Sequence, residues 1–200
     1  MYRYSQKISF SRIELRDLVK SLLVIGLAFT IVESGLDFSA AFLITLIISI
    51  LTAGMAFLLH ELAHKIVAQR YGCWSEFRAN DMMLLLTLIA SLTLKMVFAA
   101  PGAVIINGSL TKKEYGKISA AGPLTNIILS LIFFGLSFLL PNNILRTIAV
   151  VGAQINSWIA LFNMIPFGNF DGPKIWSWSK LAYSAMVIAS IGLMLVSNLF

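Results

Sequence analysis

Charge is scarce in this chain. Of its 200 residues only 12% are Asp, Glu, Lys or Arg, while 58% are apolar. Soluble domains carry about a quarter charged residues, so a water-soluble globule is excluded. Cysteine is scarcer still: the single Cys73 rules out an internal disulfide framework. Histidine occurs only at positions 60 and 64, so any imidazole chemistry runs through one pair. There is no low-complexity segment, no internal repeat and no hydrophilic block large enough for a second domain. Residues 1–200 therefore read as a single integral-membrane domain.

What the chain has instead is long apolar runs. Residues 41–59, 118–140 and 144–165 are each about 20 residues long, enough to cross a hydrocarbon core. The fold class expected is an all-α polytopic membrane protein with five to six transmembrane helices. The net charge of +6 does not point to nucleic acid, because the basic residues gather at the ends of apolar segments, where they set topology. The first 20 residues carry Arg3, Lys7, Arg12, Arg16 and Lys20. They form a basic, amphipathic segment that turns apolar over 18–32, a first anchor and not a cleaved signal. Ser11-Arg12-Ile13-Glu14 reads as a capping box that starts this helix.

A second helix is expected over 41–69, and it contains Leu58-Leu59-His60-Glu61-Leu62-Ala63-His64-Lys65. HExxH on a helix sets two imidazoles one turn apart on one face, with a carboxylate directly after the first. Zinc hydrolases use that arrangement. His60 lies about 15 Å along the axis from Arg70 at 1.5 Å per residue, within membrane thickness, where polar groups mark functional sites. Beyond Tyr71-Gly72-Cys73, residues 74–81 suit a strand or loop. Residues 82–94 form a short apolar helix of about 20 Å, residues 98–102 a turn, 103–107 a strand and 111–117 a charged connection. Helices follow over 118–140 and 144–165, then a loop over 167–179 and a last helix over 181–199.

Catalytic zinc takes three protein ligands and water. With both histidines used, the third is a carboxylate or Cys73. Asp171, in a bend after Pro166 and before Gly172, is a candidate ligand; the other reading is that it caps the turn before Pro173.

At this point the residues resemble a known family. His60-Glu61-Leu62-Ala63-His64 together with Asn163-x-x-Pro166-x-x-x-x-Asp171-Gly172 is similar to the site-2 protease family of intramembrane zinc metalloproteases. Gly122-Pro123-x-x-Asn126 in the intervening helix also resembles the family pattern. Pro173 stands where many members have a second glycine. The resemblance covers residues 52–173, with a catalytic core over about 41–173, and leaves no room for a PDZ or CBS domain. It implies one Zn2+ per chain held by His60, His64 and Asp171, with Glu61 moving protons. Asn163 and Asn126 are candidates to stabilise an oxyanion or orient the substrate backbone; an interhelical hydrogen bond is the alternative for each.

If His60 and Asp171 meet, residues 71–117 make no net crossing. Residues 82–107 are therefore read as a re-entrant helix–turn–strand hairpin, or a crossing that returns, between the HExxH helix and the next span. Arg70, Arg78, Lys112, Lys113, Lys117, Lys174 and Lys180 then share one side, with Arg146 near the other. That places the amino terminus and the site on the cytoplasmic side of a cell membrane. The function expected is hydrolysis of a peptide bond near the cytosolic end of a transmembrane protein substrate. The alternatives are divalent-metal transport and a metal-stabilised membrane protein without activity.

Overall fold

The computed structural model describes residues 8–37, 39–97 and 101–199. Arg3 and Lys7 of the basic segment, and Phe98, Ala99 and Ala100 of the expected turn, lie outside them. Helix α1 spans Arg12–Ser34 and α2 spans Ala40–Arg70. Strand β1 (Trp74–Ala79), helix α3 (Asp81–Thr93) and strand β2 (Gly102–Asn107) follow. The chain continues through α4 (Lys112–Leu139), α5 (Ile144–Asn163), α6 (Gly172–Trp178) and α7 (Lys180–Ser197).

Four of these helices, α2, α4, α5 and α7, are long and apolar enough to cross a membrane. Their outward faces carry exposed Ile47, Leu131, Ile132, Leu139 and Ile188, the surface a lipid solvent requires. Helix α1, expected as a first anchor, is not among the four. Its first half holds Arg12, Glu14, Arg16, Asp17 and Lys20, and it spends two of them inside the protein: Glu14 and Asp17 are buried.

Glu14 also corrects the expected capping box. Ser11 does cap α1, its Oγ accepting from the Glu14 N–H at 3.1 Å. The reciprocal bond does not form, because the Glu14 carboxylate instead takes Lys65 Nζ at 2.7 and 2.6 Å. A complete box occurs at Thr111 and Glu114, so residues 111–117, expected as a connection, cap and form the first turns of α4. The expected loop over 167–179 likewise contains a short helix, α6.

Helix α2 is not uniform. Ile50–Gly54 is a π turn, which widens the helix where α1 crosses it. Gly26 of α1 allows this approach, since a Cβ there would fall 2.5 Å from Ile50 Cγ1.

The two strands pair antiparallel, with Trp74 opposite Asn107 and Ala79 opposite Gly102. Between them, α3 runs alongside α1 in the same direction. Asp81 at its start pairs with Lys20, and Lys95 just past its end donates to the Ile31 carbonyl at 3.2 Å. The chain is back beside β1 at Pro101, whose carbonyl accepts from Asn80 N–H at 2.8 Å. Because Trp74 and Asn107 are partners, the chain enters and leaves this unit at neighbouring positions. Two apolar clusters hold the helices together. Leu18, Ile25, Ala53, Phe57 and Phe77 join α1, α2 and the sheet. Ala120, Ile127, Ala160, Met164, Ile175 and Met186 join α4 to α7. The histidine helix α2 lies between the two clusters.

Candidate metal centre

A cavity of about 900 Å³ opens between α2, β2, α5 and the start of α6, lined by His60, Glu61, His64, Val104, Asn163 and Asp171 among others. His60 and His64 reach it from successive turns of α2, with ring centroids 4.7 Å apart. Both are nearly inaccessible to solvent.

Hydrogen bonding decides the tautomer of each ring. His64 Nδ1 lies 2.8 Å from the Ile118 carbonyl, which can only accept, so Nδ1 carries a proton and Nε2 is the nitrogen left to bind a metal. His60 Nδ1 lies 2.6 Å from Asn126 Oδ1. The Asn126 amide nitrogen already donates to the Ala56 carbonyl at 3.1 Å and to Asn156 Oδ1 at 2.9 Å. Its Oδ1 is therefore the acceptor for His60, and His60 Nε2 is likewise the nitrogen left to bind a metal.

The two Nε2 atoms are 3.0 Å apart. Asp171 Oδ2 completes a triangle with them, 3.3 Å from His60 Nε2 and 3.1 Å from His64 Nε2. Three polar atoms facing one another at this spacing hold a proton or a metal cation between them. Zinc fits the spacing: bonds of about 2.0–2.2 Å at tetrahedral angles separate ligand atoms by about 3.3 Å. The donor set, two neutral imidazoles and one carboxylate, also suits that ion. Each imidazole has its outer nitrogen fixed by a partner, which is how metal-ligating histidines are held in orientation.

Asp171 stands at the N-cap position of α6, yet its side chain makes no capping bond. Only its backbone carbonyl serves the helix, accepting from Lys174 N–H and Ile175 N–H. The carboxylate turns into the cavity instead, with Lys174 Nζ 3.6 Å from Oδ1.

Glu61 lies beside the pair. Its carboxylate and the two imidazoles offer ligand atoms within 4.8 Å of one another, a group able to hold a metal ion. Val104 of β2 lines the same cavity as this carboxylate. Val104 sits opposite Phe77, and Phe77 N–H points away from β2 to Glu14 Oε1 at 2.9 Å. Val104 and Phe77 are thus a non-hydrogen-bonded pair, with donors on the two outer edges. The β1 edge is closed by α1, through Glu14 and through Asp17 Oδ2, which accepts from Ala79 N–H at 3.2 Å. The β2 edge borders the cavity.

The structure therefore brings together His60, His64 and Asp171, with Glu61 adjacent. Asn163 lines the same cavity, its amide donating to the Ile159 carbonyl at 3.0 Å. Asn126 is placed differently: it is wholly buried behind His60 and does not reach the cavity lining.

Two contributors were missed in the sequence. Asn156 supports Asn126 from α5, and its only signal was that it is a polar exception in an apolar helix. Gly122 lets the α4 backbone lie against the imidazoles: a Cβ there would fall 2.5 Å from His60 Nε2 and collide with His64. The Gly122-Pro123-x-x-Asn126 pattern was visible, but not this role.

Comparison with known proteins gives one curated relative over nearly the whole chain. A protein of Methanocaldococcus jannaschii named "Putative zinc metalloprotease MJ0611" is 42% identical over 188 residues, covering 93% of this chain and 95% of its own length. No family model matches the chain, and no solved structure matches it.

Proposed function

The chain belongs to the same family as MJ0611, and from that premise we propose that it is an intramembrane zinc metalloprotease of the site-2 type. The observation that carries this reading is the triangle of His60 Nε2, His64 Nε2 and Asp171 Oδ2, with edges of 3.0 to 3.3 Å, between apolar helices and beside Glu61. His60, His64 and Asp171 would hold one zinc ion per chain. When bound, zinc supplies Lewis acidity, polarising a scissile carbonyl and bringing the pKa of water toward about 7.

The remaining chemistry belongs to the protein's own side chains. Glu61, not needed as a ligand, takes a proton from the attacking water and passes it to the leaving amine. Asn163, on the cavity wall, has an amide that can turn from the Ile159 carbonyl toward a developing oxyanion. Asn126 acts through His60, fixing its ring. The cavity supplies water, which hydrolysis needs and the bilayer excludes.

The substrate is a transmembrane segment of another protein, cut toward the side where Arg70, Lys112, Lys117, Lys174 and Lys180 gather. By the charge rule that side is cytoplasmic. A helical peptide bond is shielded by its own hydrogen bonds, so the substrate must unwind before it is cut. The open edge of β2 offers the unwound strand a partner, by β-augmentation, directly beside Glu61. The short unit from β1 to β2 lies at membrane depth as a re-entrant element, its irregular backbone covered by α1 and α2.

The test is cleavage of a single-span membrane protein co-reconstituted with the purified enzyme. Glu61→Ala is expected to keep its zinc and lose cleavage. Cleavage at the wild-type rate would reject the mechanism, and zinc movement into the liposomes without cleavage would favour metal transport.

A further inference from the structure

Lys65 follows the second histidine directly, and nothing in the proposed chemistry uses it. It is nevertheless among the most buried side chains of the protein, 1% exposed, and its partner Glu14 is 0% exposed. Two opposite charges this deep persist only where other hydrogen bonds complete their shells, and here those bonds run to one place. Lys65 Nζ donates to both Glu14 oxygens and, at 3.2 Å, to the Ser75 carbonyl. It also lies 4.4 Å from the Phe10 ring centroid. Glu14 Oε1 accepts from Phe77 N–H at 2.9 Å. Ser75 returns the contact, its Oγ donating to the Lys65 carbonyl at 3.1 Å. The pair thus ties three elements together: α1, the histidine turn of α2, and β1.

We infer that Glu14 and Lys65 are positioning residues: they lock the β1–β2 sheet onto the histidine helix and close its outer edge, so that only the β2 edge, beside Glu61, receives substrate. This rests on the strand-pairing reading above. A two-stranded sheet has two free edges, and each is a template for any extended chain. On β1 the outward Phe77 and Ala79 amides are occupied by Glu14 and Asp17. On β2 the outward Val104 amide faces the cavity that Glu61 also lines. The register between sheet and histidines is set one residue after His64, where Lys65 grips Ser75. Loosening that grip moves the receiving edge relative to the metal ligands without touching them.

The test uses the zinc-loaded full chain in nanodiscs. Replacing the pair together, Glu14→Leu with Lys65→Met, avoids leaving either charge buried alone. Hydrogen exchange of the 75–79 amides is expected to speed up by at least about tenfold. KM for a reconstituted single-span substrate is expected to rise about tenfold with kcat within about twofold, the signature of lost uniform binding. Zinc content stays at the wild-type level. Glu14→Gln with Lys65→Met keeps an acceptor for Phe77 but no tie to α2. It should retain most amide protection while KM still rises about threefold. Wild-type protection in the first variant, or wild-type KM in either, overturns the inference, and the second variant decides even if the first does not fold. If the unmodified protein cleaves no membrane-span substrate, the protease reading fails, whereas the exchange measurement still tests the edge closure.

Discussion

Asn126 Oδ1 stands 2.6 Å from His60 Nδ1, and the same amide reaches Asn156 Oδ1 at 2.9 Å. The chain His60–Asn126–Asn156 therefore crosses α2, α4 and α5 entirely inside the protein. Its role is to choose the His60 tautomer and hold the ring. Asn126→Ala is expected to weaken zinc binding about 10- to 100-fold, the usual range for such outer partners. Competition with a chromophoric chelator measures this directly, and an unchanged affinity would remove Asn126 from the site.

Gly122→Ala tests the close approach of α4. With a Cβ 2.5 Å from His60 Nε2 and closer still to His64, either the imidazoles or the helix must move. The expected outcome is zinc occupancy well below one per chain, with helix content by circular dichroism unchanged. Full occupancy would mean that α4 shifts without cost to the histidines.

Asp171 and Glu61 are both carboxylates of the cavity, and they separate by experiment. Asp171→Asn is expected to lose most bound zinc, because a neutral amide replaces the anion facing His60 and His64 at 3.3 and 3.1 Å. Glu61→Gln is expected to keep it. Metal analysis of the two purified variants distinguishes ligand from proton carrier; equal zinc in both would contradict the assignment.

Val104→Pro removes the outward donor of the β2 edge and spares the ladder to β1, since Pro is tolerated where its missing N–H faces away from the partner strand. The expected result is a higher KM for a membrane substrate with zinc retained. Ile105→Pro, opposite Glu76, instead deletes a ladder bond and should reduce stability. Identical behaviour of the two variants would argue against strand docking.

How much of this was legible depended on the range of the interaction. The histidine pair and Glu61 fall within five residues on one helix, so helical periodicity placed them. Asp171 was legible as one of two readings, ligand or turn cap. Its N-cap position made both plausible, and what the fold adds is that the side chain makes no capping bond. Strand 103–107 was marked by β-branched residues, whereas 74–79 could not be told from a loop until β2 was there to pair with it. The Glu14–Lys65 pair spans 51 residues, and local pattern assigned Glu14 to a capping box that a stronger buried partner prevents. The π turn at Ile50–Gly54 left no composition mark at all. It arises where α1 presses on α2 at Gly26, a condition that exists only in the packed state.

That π turn has a consequence for the angle at which the histidines face their partners. Each residue of an α-helix advances the side chains by about 100°, so one residue more or fewer in Ile50–Gly54 swings His60 and His64 away from α4 while the α1 contact stays where it is. The length of the helix is forgiving; its phase is not. Deleting a single residue there would leave a span of ordinary hydrophobicity whose two imidazoles no longer face Asp171.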